Sequence, residues 1–143
     1  MVFVEKFFQE LTAKEVYEIL KVRAKVFMLE QEIHCLDMDD MDYESLHVFA
    51  QEEGRVVAYL RAYATSYDGD IRIGRVLTAR RGEGLGKEIM KRGVESIQRK
   101  MNGKRIFLDA QLHAKGFYEK CGFVTVSEEF LEEGIPHVKM ERK

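Results

Sequence analysis

The chain predicts a mixed α/β domain folded as one compact unit, and three observations carry that prediction. Segments that alternate apolar and polar residues interleave with segments apolar at helical spacing, in the order βα-β-β-β-α-β-α-β-β. Glycine-bearing turns join neighbouring strand-like runs into hairpins. A length of 143 residues, 45% apolar and 34% charged, suits one buried core, and a single proline speaks against linkers or a disordered tail.

The elements follow in order. "VFVEKFF" alternates as a strand and stops at "LTAKE", where Thr12 followed by Glu15 has the form of a capping box. Val16, Ile19, Leu20, Val26 and Phe27 recur at near-helical spacing, so a helix, or a pair with a kink, runs to about Gln31. The acidic stretch "LDMDDMDYES" breaks it as a loop. "HVFAQ" and "VVAYLRAYA" flank the turn "EEGR" as a hairpin, and "SYDGD" turns the chain into "IRIGRVLT" for a second. Leu85, Ile89, Met90, Val94, Ile97 and Met101 mark a helix of about four turns that stops near Asn102 and Gly103. "RIFLDA" is then a strand, "AKGFYEKC" a short helix, and "FVTVSEEFLEEGIPHVKMER" two strands around a turn at Gly134.

Several function classes are excluded early. The net charge is -2 and basic residues are dispersed among acidic ones, which is not the footprint of a nucleic-acid binder. No apolar run approaches the roughly 20 residues that span a bilayer, and the start "MVFVEKFFQE" carries acid where a signal peptide is basic and then apolar. The expectation is a cytoplasmic protein with no membrane partner. Cys35 and Cys121 stand far apart with no second thiol beside either, so no C-x-x-C motif exists and both read as packing residues.

The stretch that carries chemistry is "TARRGEGLGKE". A Walker A loop fails because Arg81 stands where the first glycine should be and Glu88 where a magnesium-holding hydroxyl should be. A dinucleotide fingerprint fails on its G-x-G-x-G spacing and on the hairpins that precede it. What survives is a strand running into small residues whose free N–H groups open a helix and converge on one anion. Gly82, Gly84 and Gly86 keep side chains away from that spot, and Arg81 and Lys87 supply positive charge for a diphosphate. A glycine-rich turn without a ligand is the structural alternative.

Arg81-Gly82-Glu83-Gly84-Leu85-Gly86 resembles the R/Q-x-x-G-x-G/A signature of the GNAT superfamily of N-acetyltransferases, and "AKGFYEKCGF" resembles its second signature, with Tyr118 ahead of a Gly-Phe strand start. "RAKVFMLEQEIH", "LDMDDMD" and "EEGIPHVKM" look like the ElaA-like and YjcF-like branch of that family. The resemblance implies a GNAT-like, mostly antiparallel twisted sheet flanked by helices, with strands at 71–78 and 105–110 parallel and splayed apart. It implies acetyl-CoA as co-substrate, no metal, and direct acetyl transfer to an amine. Arg81 to Lys87, Glu83 and Leu85 included, would hold the diphosphate. Backbone groups at Arg75 and Val76 would pair with the pantetheine arm, and a free N–H near Val76 would face the thioester oxygen. Tyr118 would protonate the leaving sulfur, and Gln111 stands where the family has an asparagine that contacts the arm.

The general base is open among Glu30, at the end of the first helix, Asp39, in the acidic loop, and His47, at a strand start. Each has a structural alternative: an ion pair of Glu30 with Arg23, a solvated Asp39, a satisfied strand-end His47. His137 ranks behind them, and His34 and His113 read as surface or packing residues. The acidic loop lacks the glycine and spacing of an EF-hand and is read as a negative rim beside the acceptor cleft, favouring a small amine, a polyamine or a lysine side chain. Two readings result: an N-acetyltransferase, compatible with a homodimer, or a non-catalytic acyl-CoA-binding sensor or interaction module.

Overall fold

The computed structural model describes residues 1–65, 69–102 and 105–142. Residues 66–68 of the expected "SYDGD" turn and the expected helix stop at Gly103 lie outside the described residues. The strands are β1 (Val2–Phe7), β2 (Leu46–Glu52), β3 (Arg55–Ala64), β4 (Asp70–Thr78), β5 (Arg105–Gln111), β6 (Phe123–Thr125), β7 (Phe130–Glu132) and β8 (Ile135–Arg142). The helices are α1 (Ala13–Arg23), α2 (Leu85–Lys100) and α3 (Lys115–Lys120).

Among the described residues the strands form one sheet in the order β1-β2-β3-β4-β5-β8-β6, with β7 also on β8. Every pairing is antiparallel except β4 with β5. This is the mixed, mostly antiparallel sheet with one parallel pair that the family resemblance implies. Two hairpins are fixed by the same device. Glu53-Gly54 and Glu133-Gly134 both have positive φ at each position, which is the twist-matched two-residue turn that sets strand register.

Helices cover both faces of the sheet. Alternation along β2 sends Leu46, Val48 and Ala50 to the α2 side, where they meet Leu85, Ile89, Met90, Val94 and Ile97. Phe49 points the other way and packs with Val56, Tyr59 and Leu77 against Ile19 and Val22 of α1 and Val26 beyond it. The expected capping box starts α1: Thr12 Oγ1 accepts from the Glu15 N–H at 3.1 Å, and Glu15 Oε1 accepts from the Thr12 N–H at 2.8 Å. The kink is a widening to a π-helical segment over Ala24–Glu30, which carries the chain to Gln31.

The tail departs from expectation by one strand. Three strands form there instead of two, because β8 is long enough to pair with β7 over residues 135–137 and with β6 over residues 140–142. Between them the Val126 N–H still donates to the Lys139 carbonyl, but the Lys139 N–H donates to Ser127 Oγ, each at 2.8 Å, so a hydroxyl takes over half of the ladder there and the run "FVTVSEEFLEE" breaks in two.

Candidate active site

The site begins where β4 parts from β5. The two strands pair only over Asp70↔Arg105, Ile71↔Ile106 and Arg72↔Phe107, after which β4 runs on to Thr78 and β5 to Gln111 unpaired with each other. A bulge in β4 contributes to that divergence. Tyr59 faces Leu77 and Arg61 faces Gly74, which leaves Leu60 opposite two residues, Arg75 and Val76. Arg75 sits at φ 54°, a left-handed conformation that costs an L-residue about 1–2 kcal/mol. Its guanidinium is anchored: Nε donates to Asp37 Oδ1 and Nη2 to the Asp37 carbonyl, each at 2.8 Å.

At the end of β4 lies the glycine loop. Gly84, at φ 68°, is the residue from which α2 starts, and the first backbone bond back to it comes from the Glu88 N–H at 3.1 Å, so the N–H groups between them are free. A Cβ built on Gly82 or Gly84 would meet nothing within 4 Å, leaving open space in front of those donors. Gly86 has a different reason to lack a side chain. A Cβ there would lie 3.2 Å from Phe117 Cζ and 3.6 Å from Thr78 Cγ2, so this glycine lets α3 approach the start of α2. Arg81 and Lys87 are exposed at the loop, whereas Arg80 is bound by Glu52 and by Glu83. Free N–H groups, open space and two exposed cations suit a diphosphate.

Between the splayed strands runs a cleft of about 450 Å³. Arg75, Val76, Gln111, Tyr118, Asp39 and His137 are among the side chains that line it. Tyr118 is held by Phe117 and Phe123, with ring centroids 5.1 and 6.3 Å away, and burial pushes its phenol above the ordinary tyrosine range. Among the described residues none hydrogen-bonds its hydroxyl. Gln111 spans the cleft mouth: Nε2 donates to Gln31 Oε1 at 3.2 Å, and Oε1 accepts from His113 Nε2 at 2.6 Å. Cys35 is exposed at the cleft rather than packed, while Cys121 packs against the main core.

The three candidate bases do not converge. Glu30 is exposed at the end of the π-helical segment and is not part of the cleft wall; its expected partner Arg23 instead binds Asp37 and Asp42. His47 is 2% exposed and faces α1, away from the cleft, with Nε2 donating to the Asp42 carbonyl at 2.9 Å and Nδ1 accepting from the Tyr59 hydroxyl at 2.7 Å. Burial lowers its affinity for a proton. Asp39 reaches the cleft, but two hydrogen bonds from Arg61, at 2.7 and 2.6 Å, hold its carboxyl at about 2, so it is a poor proton acceptor.

The same pairs overturn the reading of the acidic loop as a negative rim. Asp37, Asp39 and Asp42 are met by Arg23, Arg61 and Arg75, three carboxylates by three guanidiniums, so this part of the loop presents almost no field to the cleft. Negative charge gathers instead at the opposite wall. Glu132, Glu133 and Asp109 line the cleft there with Arg72 as the cation among them, 3.1 Å from Asp109. The local signal for that wall is the Glu133-Gly134 turn, which fixes Phe130 opposite His137.

A sheet opened by a bulge, a glycine loop at a helix start and a tyrosine-lined cleft between them define the acyl-CoA N-acyltransferase class. The chain belongs to the GNAT acetyltransferase family, whose domain model matches residues 7–143. It is 34% identical over 141 residues to protein ElaA of Escherichia coli, covering 94% of this chain and 91% of that protein. The crystal structure of an acyl-CoA N-acyltransferase from Pseudomonas aeruginosa superposes with a TM-score of 0.92 at 34% identity, and that of Escherichia coli ElaA with 0.92 at 31%, each covering all of both chains. The likeness to ElaA in both sequence and structure places the chain in the ElaA-like branch. Among the described residues no helix is long and apolar enough to cross a membrane.

Proposed function

We propose that residues 1–143 work as one cytoplasmic domain that moves an acetyl group from acetyl-CoA directly to a primary amine of a small molecule, a polyamine or a peptide. The observation that carries this reading is the meeting of the Arg75 bulge and the Tyr118 side chain in one cleft, on the strand that leads into the glycine loop. Acetyl-CoA, when bound, supplies an activated thioester. The chain's own residues supply the rest.

Residues 81–87 hold the diphosphate through free N–H groups, with Arg81 and Lys87 neutralising its charge. The unpaired edge of β4 at Arg75 and Val76 offers the pantetheine arm a strand-like partner, and the Val76 N–H stabilises charge developing on the thioester oxygen. Tyr118, protonated at neutral pH, gives a proton to the departing sulfur. Gln111 joins that set once its amide turns from Gln31 to the arm.

A binding module without turnover is the second reading, favoured by one observation: of Glu30, Asp39 and His47, only Asp39 lines the cleft, and it is ion-paired. Melting-temperature shifts with acetyl-CoA and with free CoA, followed by thiol release over a panel of amines, separate the two. Release on at least one amine supports the enzyme; binding with no release on any supports the module.

A further inference from the structure

We infer that His137 is the general base of the acetyl transfer and that the acceptor amine binds at the β7–β8 end of the cleft. This inference rests on the acetyltransferase reading above. It starts from a tautomer that the structure determines. His137 Nδ1 lies 2.7 Å from the carbonyl oxygen of Ile135, and a carbonyl has no proton to give, so Nδ1 carries the hydrogen and donates it. In the neutral ring the lone pair is therefore on Nε2.

The geometry around Nε2 points the same way. Glu132 Oε2 lies 3.5 Å from it, so a carboxylate faces the ring nitrogen that would receive the amine's proton. The ring is held in place by Phe130, stacked with centroids 5.9 Å apart, and the two-residue turn at Glu133-Gly134 fixes that pairing. His137 is 7% exposed and lines the cleft that also holds Tyr118 and Val76. Glu132, Glu133 and Asp109 outnumber Arg72 on this wall, so a cationic amine is drawn to the base that deprotonates it.

The proton count closes. An alkylammonium loses two protons on becoming an amide. One goes to His137 Nε2 and on to solvent; the other replaces the proton that Tyr118 gives to sulfur as the new C–N bond forms and the C–S bond breaks. His137 and Tyr118 then serve opposite sides of one reaction.

The test uses the full chain with His137→Asn, whose amide keeps a donor for the Ile135 carbonyl but has nothing at the Nε2 position, and with Glu132→Gln, a nearly isosteric change at a half-buried position. The parent should release thiol on at least one amine. His137→Asn should keep its acetyl-CoA-dependent melting shift while kcat falls by roughly 10²–10⁴, and the deficit should shrink as pH approaches the amine's own pKa of about 10, where free amine needs no base. Glu132→Gln should lower kcat by several-fold with the fold intact. A parent that turns over alongside an equally active His137→Asn overturns this assignment alone. If His137→Asn does not fold, an unchanged kcat in Glu132→Gln overturns it. A parent inactive on every amine overturns the acetyltransferase reading and this one together.

Discussion

Gly84 offers the sharpest test of the diphosphate cradle. Its φ of 68° lies in the left-handed region, and a Cβ there would meet no atom within 4 Å, so steric conflict with the fold is absent and the cost of substitution is conformational. For a β-branched residue that cost is about 2–3 kcal/mol, which in a chain of this size lowers Tm by roughly 4–12 °C. The open space in front of the helix start is also where an anion would sit. A side chain there displaces at least one charge-assisted hydrogen bond of about 1.5–3 kcal/mol, or roughly tenfold to 150-fold in acetyl-CoA affinity. Gly84→Val should show both losses. Gly84→Asn separates them, because asparagine tolerates left-handed backbone: its Tm should stay near the parent's while acetyl-CoA affinity, measured by calorimetry, falls at least tenfold. Amine affinity should change less in either variant. A folded Gly84→Asn that binds acetyl-CoA as tightly as the parent would refute the cradle.

Tyr118→Phe removes a hydroxyl that no described residue hydrogen-bonds, so Tm and acetyl-CoA affinity should hold while thiol release shows kcat lower by roughly 10²–10⁴; a fully active variant would end the general-acid role. Tyr59→Phe should cost about 1–3 kcal/mol in urea unfolding with no effect on acetyl-CoA binding, because it strips the buried His47 Nδ1 of its donor. Acid should destabilise the fold in a defined window. Hydrogen bonds from Arg99 hold Glu5, and from Arg61 hold Asp39, at about 2, below ordinary values of 4.5 and 3.8. Their stabilisation is complete above those ordinary values and disappears as pH falls through 2, so the urea midpoint should drop between pH 5 and pH 2, and less steeply in Asp39→Asn.

What was legible in the chain was what neighbouring residues decide. Thr12 and Glu15 sit three apart and make a capping box whatever surrounds them, and two Glu-Gly pairs between alternating runs make tight hairpins. The glycine loop and Tyr118 fell in the segments where short motifs place them. The failures share the opposite property. Formal charge made residues 37–44 look like a negative rim, but the guanidiniums that neutralise three of those carboxylates come from 14 to 38 residues away. No local pattern marks Arg75 as left-handed, since the bulge arises from its pairing with β3. The position of His137 in the cleft was hidden for the same reason, because it depends on β5, β7 and the splay.

Those long-range pairs also bear on why the cleft keeps its shape. The left-handed backbone at Arg75 costs about 1–2 kcal/mol, whereas each of its two charged hydrogen bonds to Asp37 contributes about 1.5–3 kcal/mol. The side chain therefore outweighs the strain that the backbone carries. Asp37 is in turn held by Arg23 Nε at 2.8 Å, from a guanidinium wholly buried beneath the loop. Burying such groups offers little net stability, because desolvation takes back most of the Coulombic gain. Its larger consequence is positional. The loop on one wall of the cleft and the bulge that opens β4 are fixed through one carboxylate, so a change at Arg23 or Asp37 reaches the proposed thioester site without touching it.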